Sequence, residues 1–284
     1  MRKSLAIIFF TMISLFGFSQ NTEPVYLWPD KVPGETESKH DPVQTPNIER
    51  NVIRLTDVTN PAFLVFKPTN KRNNGAGVIV CPGGGYGILA INLEGYEIAE
   101  WLTKQGFTAF VLQYRVPNKQ EGALMDAQRA IRVIRNSADT YGLKPNQLGI
   151  MGFSAGASLS ARTATLFEKK TYTSVDKADS VSCRPDFALL IYPAYLDLGT
   201  NRTLTPELTV NQNTPAMFLF ATADDSYSNS ALVMATALRD AKVPVELHLL
   251  AKGGHGYGLR SDNTAGETWP KLAAIWLKGI VAVK

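Results

Sequence analysis

From about residue 50 onward, short apolar runs alternate with segments of helical periodicity, and this alternation restricts the fold more than any other property of the chain. Gly77–Cys81 (GVIVC), Phe107–Tyr114, Gln147–Phe153, Asp186–Tyr192, Met217–Thr222 and Val245–Leu250 read as strands. Between them Leu93–Lys104, Leu124–Ala138, a small-residue stretch from Ala155, Asn229–Ala241 and finally Thr268–Gly279 read as helices; in the second, Ala127, Ile131, Ile134 and Ala138 recur at helical spacing. Strands apolar at nearly every residue need cover on both faces. A mostly parallel sheet of the α/β class, with helices on either side, is therefore expected. Asn51–Val58 and Ala62–Lys67, separated by a turn at Asn60-Pro61, read as an antiparallel start and bring the count to eight strands. Such a sheet presents functional groups at the carboxyl ends of its strands. The Pro-rich stretch before residue 50 is expected to wrap the surface.

The first residues stand apart. Arg2 and Lys3 form a basic start, Leu5 to Phe18 is almost wholly apolar, and Gly17 and Ser19 are small residues at the −3 and −1 positions of a cut before Gln20. Fourteen residues is short for a membrane span, which needs about 20. Residues 1–19 thus read as a secretory signal peptide, leaving one near-neutral, exported domain over 20–284 in the periplasm or outside the cell, with no membrane insertion after cleavage.

Composition narrows the chemistry. The chain holds two Cys and three His, and its formal net charge is +4. A disulfide scaffold is excluded, a zinc cluster would consume nearly all of these residues, and the charge gives no argument for nucleic acid. No metal and no cofactor are expected. Cys81 ends one strand and Cys183 precedes another. In a parallel sheet that separates them by about five residues, ~17 Å, against the roughly 7 Å that a disulfide tolerates. Two free thiols are expected, with Cys81 packed rather than nucleophilic.

Gly152-Phe153-Ser154-Ala155-Gly156 is a G-x-S-x-G element. Alone it is a weak signal, but an apolar strand precedes it and a helix follows, which is the sharp turn that exposes a serine hydroxyl. A serine needs a base and an orienting acid, in the order Ser, acid, His along such a chain. His40 precedes the sheet and reads as a solvated loop residue; His248 lies inside a strand, facing a covering helix or solvent. His255, in GGHGYG past the last strand, is left as the general base. Asp224 and Asp225 both follow the preceding strand. Asp225 has the better reach, Asp224 suits a cap on its own turn, and either could supply the acid. The loop C-P-G-G-G-Y-G at 81–87 follows an early strand, where glycines let backbone N–H groups face developing negative charge. Gly84 and Gly85, with the Ala155 amide, are the candidate oxyanion donors. Tyr86, Tyr195, Tyr227 and Tyr257 lie on nearby loops and could stack on sugar rings; core or rim packing accounts for each equally well. Asp126 and Arg129 read as a structural ion pair or as surface anchors.

Together these elements resemble the α/β-hydrolase superfamily, and within it a group of secreted carbohydrate esterases that includes acetylxylan esterases and other hemicellulose deacetylases. The resemblance runs through LWPDKVPG (27–34), PGGGYGILA (82–90), D-x-x-R-A-I-R (126–132), MGFSAGA (151–157), RPDFALLIYP (184–193) and GGHGYGL (253–259). It implies an α/β-hydrolase fold and a triad at Ser154, Asp225 and His255. It also implies removal of acetyl groups from xylan or related oligosaccharides. The chain departs from the group after the serine turn, where Ala157-Ser158 replaces Gly-His, and after the acid, where Ser226-Tyr227-Ser228 replaces a Val-Pro turn. The stretch 196–214 is too short for a large cap domain. A feruloyl or broad carboxylesterase is the alternative; a peptidase and a catalytically inert binding protein fit less well.

Overall fold

A computed structural model describes residues 23–282, so the expected leader lies outside the described residues. The strands in chain order are β1 Val25–Tyr26, β2 Val43–Gln44, β3 Arg54–Thr56, β4 Ala62–Phe66, β5 Gly77–Cys81, β6 Leu89–Ala90, β7 Thr108–Gln113, β8 Leu148–Phe153, β9 Phe187–Ile191, β10 Ala216–Thr222 and β11 Val245–Leu250. The helices are α1 Glu97–Lys104, α2 Gln120–Asn136, α3 Ala155–Thr165, α4 Asn229–Asp240 and α5 Thr264–Ala282. Eight strands form one sheet in the order β1-β4-β7-β5-β8-β9-β10-β11. The pairs β1–β4 and β4–β7 are antiparallel, and every pair from β7 across to β11 is parallel.

Side chains alternate between the two faces, as the pleat requires. Ile79, Phe110, Leu112 and Leu190 pack on one face with Ala127 and Ile131 of α2, Leu159 of α3 and Met234 of α4. Val78, Val80, Val111 and Leu189 pack on the other with Ile98 and Leu102 of α1 and Trp269 and Leu277 of α5. Burial on both faces is why these strands are continuously apolar. Helix α5 starts four residues before the sequence pattern suggests, because Asn263 Oδ1 accepts the amides of Ala265 and Gly266 as an N-terminal cap. Pro270 lies inside this helix. An interior proline costs about 3 kcal/mol. Burying Trp269 and Leu277 returns roughly 1.5–3 kcal/mol each, enough to hold the helix through it.

One strand expectation is corrected. Within Asn51–Val58 only Arg54–Thr56 is a strand, and it does not pair with Ala62–Phe66. It lies between β2 and β6 in a separate three-stranded sheet. The edge beside β4 is taken by Val25–Tyr26, so the N-terminal stretch does more than wrap the surface. Leu27, Trp28 and Val32 enter the core, and burying a Trp decides the competition for that edge.

The anchor for this segment corrects a second expectation. Asp126 and Arg129 are both buried and do not pair with each other. Asp126 accepts Arg115 Nε and Nη2 at 2.9 Å and Trp28 Nε1 at 2.9 Å, while Arg115 Nη1 donates to the Pro33 carbonyl. Arg129 Nε donates to the Leu27 carbonyl at 3.0 Å, and its guanidinium pairs with Asp176 and Asp179. The one-turn spacing of 126 and 129 puts both on the helix face that receives LWPDKVPG, where the two groups serve different partners. Asp126→Ala would leave the Arg115 guanidinium buried without its counter-charge. That change is expected to destabilise the fold by about 3–5 kcal/mol in urea unfolding.

Both cysteines are free and buried. Burial pushes the Cys81 thiol up to about 12, far from a reactive thiolate. No helix among the described residues is long and apolar enough to cross a membrane.

Candidate active site

The parallel register brings the carboxyl ends of five strands together. Cys81 of β5 lies beside Gly152 of β8, Phe153 beside Ile191 of β9, and Thr222 of β10 beside Leu250 of β11. Ser154 is the single residue between β8 and α3, with φ 53° and ψ −119°. A side chain in that region costs of order 1–3 kcal/mol and persists only when its surroundings hold it. Here the Ser154 amide donates to the Ile191 carbonyl at 3.1 Å, and its carbonyl accepts the amides of Ala157, Ser158 and Ala194. The flanking glycines are sterically required. A Cβ on Gly152 would lie 2.0 Å from the Gly156 carbonyl oxygen, and one on Gly156 would lie 2.0 Å from the Cys81 carbonyl oxygen.

His255 follows β11 on a loop of four glycines with positive φ, Gly253, Gly254, Gly256 and Gly258. Its Nε2 is 2.7 Å from Ser154 Oγ, and its Nδ1 is 2.7 Å from Asp225 Oδ2. With the proton on Nδ1, the ring donates to the carboxylate and Nε2 accepts the serine hydroxyl. The Asp225 side chain is 1% exposed, and its second oxygen accepts the Tyr227 amide at 2.9 Å. The structure thus brings Ser154, His255 and Asp225 into one hydrogen-bonded series.

Asp224 points elsewhere. Its carboxylate accepts the Gly254 amide at 2.9 Å and the Gly253 amide at 3.2 Å. These backbone donors, Gly254 first, hold its carboxyl below the usual range. The expected cap on its own turn is therefore corrected: Asp224 reaches across to the loop that carries His255. Thr222 Oγ1, donating to the Gly254 carbonyl, and Asn263 Nδ2, donating to the Gly253 carbonyl, hold the same loop.

A cavity of about 300 Å³ opens over the serine, lined by Gly84, Gly85, Ser154, Tyr195, Tyr227 and His255 among others. Gly84 and Gly85 have φ of +133° and +64°, and a Cβ on Gly84 would strike the Ile88 carbonyl oxygen at 2.1 Å. Among the described residues the amides of Gly84, Gly85 and Ala155 meet no acceptor.

The four loop tyrosines separate into two kinds. Tyr195 and Tyr227 line the cavity, their rings 5.5 Å apart, with Tyr227 5.1 Å from the His255 ring. Tyr86 and Tyr257 are buried, which corrects their reading as sugar-stacking residues. Tyr86 packs on Tyr114, and burial pushes its hydroxyl up to about 12. Tyr257 lies behind the site against Tyr192, at 4.5 Å. The Tyr192 ring also meets His255 edge-on at 5.0 Å. Sequence reasoning had no means to sort these rings, because loop position does not report burial.

It also missed Glu94, a buried acid beneath the glycine loop. Its only sequence signal is an acidic residue at the start of an amphipathic helix, a common surface pattern. The other histidines stand apart from the cavity. His40 is 3.4 Å from Asp57 on the surface, and His248 pairs with Glu246 at 2.7 Å along β11. Between β9 and β10 the helical content is one short turn, Thr200–Arg202, so no cap domain covers the strand ends among the described residues.

A family model described as BD-FAE matches residues 64–191, a span that includes the glycine loop and the serine turn. The chain is 28% identical to an acetylxylan esterase of Xylanibacter ruminicola, over 85% of this chain and 53% of that protein. It is 33% identical to endo-1,4-beta-xylanase B of Butyrivibrio fibrisolvens, over 65% of this chain and 33% of that protein. It therefore spans about half, or less, of the length of these relatives. The crystal structure of an acetyl ester-xyloside bifunctional hydrolase from Caldicellulosiruptor lactoaceticus superimposes with a TM-score of 0.75 and 31% identity, covering 91% of this chain and 96% of that one. On near-complete coverage at this identity, together with the sheet order and the serine turn, the chain belongs to the α/β-hydrolase superfamily.

Proposed function

We propose that this chain is a serine carbohydrate esterase that removes acetyl groups from xylan or related saccharides through an acyl-enzyme. The observation that carries the reading is the Ser154–His255–Asp225 series, with 2.7 Å at each link, opening on a cavity walled by unpaired backbone amides. In this mechanism Ser154 Oγ attacks the ester carbonyl as His255 Nε2 takes its proton. Asp225 keeps the ring in the Nδ1–H tautomer and stabilises the imidazolium. The amides of Gly84, Gly85 and Ala155 receive the oxyanion, each worth about 3 kcal/mol in the transition state. His255 then protonates the departing sugar oxygen. Water, activated by the same ring, attacks the acetyl-serine and returns the enzyme.

The related acetylxylan esterase and acetyl ester-xyloside hydrolase support the acetyl group and the sugar. The cavity supports them too: about 300 Å³ receives an acetyl group with room to spare and lies open to a polymer, with the half-buried Tyr195 and Tyr227 as its aromatic wall. Export with cleavage before Gln20, leaving one catalytic domain, completes the reading and suits a polymer that cannot enter a cell. Incubation with acetylated xylan is expected to release acetate at least about tenfold faster, per active site, than ferulate is released from methyl ferulate; tenfold corresponds to 1.4 kcal/mol in the transition state. A preference for the feruloyl ester would replace this reading with the feruloyl-esterase alternative.

A further inference from the structure

One buried acid beside the nucleophile has no part in the relay. Glu94 lies in the π-helical turn Asn92–Tyr96 that leads into α1, and only 4% of it is exposed. Its Oε2 accepts the Gly83 amide at 2.7 Å, and its Oε1 accepts the Tyr192 hydroxyl at 2.8 Å. The Tyr192 hydroxyl in turn accepts the Gly258 amide at 3.1 Å. A single carboxylate therefore ties together three segments that are distant in sequence: the glycine loop after β5, the end of β9 and the loop that carries His255.

Such a residue is costly. Burial pushes the Glu94 carboxyl up from its ordinary range, with the hydrogen bonds from Tyr192 and Gly83 opposing that shift. An apolar side chain would fill the same volume without the desolvation cost. The position of Gly83 shows what the acid gains. A Cβ there would lie 2.6 Å from the Phe153 carbonyl oxygen and 2.9 Å from Ser154 Cβ, so its backbone rests directly on the serine turn. Fixing the Gly83 amide sets the direction of the next two peptides, and these carry the Gly84 and Gly85 amides. A π-turn at the entry to α1 re-aims one side chain inward relative to a regular helix, a device frequent at functional sites.

The geometry points to Glu94 as the positioning residue of the oxyanion loop: anchored by Tyr192, its carboxylate holds Gly83 against the Ser154 turn and so aims the Gly84 and Gly85 amides at the oxyanion. This rests on the esterase reading above. The role is one of reach rather than charge, and two conservative variants separate the two. Glu94→Gln keeps the length and an acceptor for the Gly83 amide. Glu94→Asp keeps the charge but withdraws the carboxylate by one methylene, about 1.5 Å.

E94Q is expected to keep kcat within about tenfold of wild type, and E94D to lose about 100-fold, the scale of one lost oxyanion donor, with KM within about threefold in both. A trifluoromethyl ketone, which adds to the serine as a tetrahedral oxyanion, should lose affinity for E94D in parallel with kcat. Tyr192→Phe frees one carboxylate oxygen while keeping the ring, and is expected to lower kcat about tenfold at unchanged KM, the scale of one hydrogen bond. That variant carries the test if E94D does not fold. The inference is overturned if E94D is no worse than E94Q, if Y192F turns over at the wild-type rate, or if kcat falls while ketone affinity stays. Fluorophosphonate labelling of the wild-type protein separates the two levels: no label on Ser154 removes the esterase reading itself, whereas normal labelling with an active E94D removes only the role of Glu94.

Discussion

Ser154→Ala is expected to lower kcat for acetyl ester hydrolysis by about 10⁴-fold or more, the largest effect of any single substitution in this chain. In the proposed mechanism the serine is both the attacking atom and the site of the covalent intermediate, so its loss would leave only what the proposed oxyanion amides and substrate binding can contribute. Acetate release from acetylated xylan reads the rate. A fluorophosphonate reads the nucleophile directly: wild type should label and the variant should not. Thermal stability should change little, since the only side-chain hydrogen bond lost is the one to His255 Nε2. Equal labelling of the two proteins would remove Ser154 from the mechanism.

Asp225→Asn is expected to cost almost as much, about 10⁴-fold in kcat. The Asp225 carboxylate is almost wholly buried and holds His255 Nδ1–H at 2.7 Å. An amide there can present its own N–H to the ring, which then keeps its proton on Nε2, the atom proposed to receive the serine proton. Asp224→Asn is expected to cost less than about tenfold, the scale of one ordinary hydrogen bond. Asp224 faces the Gly253 and Gly254 amides, and an asparagine can still accept from one of them. Steady-state kinetics of the two variants side by side is the check, and a larger loss in the Asp224 variant would reverse the assignment.

The contrast between these neighbours marks the limit of what local pattern reveals. Both follow β10, both could reach the next loop, and only the chain path decides which carboxylate meets the imidazole. Asp225 turns inward because its amide donates to the Thr222 carbonyl and its carbonyl accepts the Ser228 amide, closing a turn that buries the side chain. Asp224, one residue earlier, stays exposed and braces the glycine loop instead. The tyrosines behave alike. Tyr86 and Tyr227 both stand in loops that follow strands, yet one packs beneath Tyr195 and the other faces the cavity.

The parts that could be read directly were those dictated by repeating local chemistry. Continuous apolar strands between amphipathic helices demand a sheet covered on both faces, and β5 and β7 to β11 form one. G-x-S-x-G between a strand and a helix demands a turn that only glycine flanks permit. With two of the three histidines placed away from the strand ends, scarcity left His255 as the candidate base, and it stands 2.7 Å from the serine. What needed the tertiary structure were the contacts whose partners lie far apart along the chain. These are the pairing of Val25–Tyr26 with β4 in place of Asn51–Val58, the burial of Asp126 against Arg115 and Trp28, and the clamp of Glu94 on Gly83 and Tyr192. A side chain's periodicity reports which face it occupies, but a buried polar group is decided by which partner the fold brings within 3 Å, and that distance has no trace in local sequence.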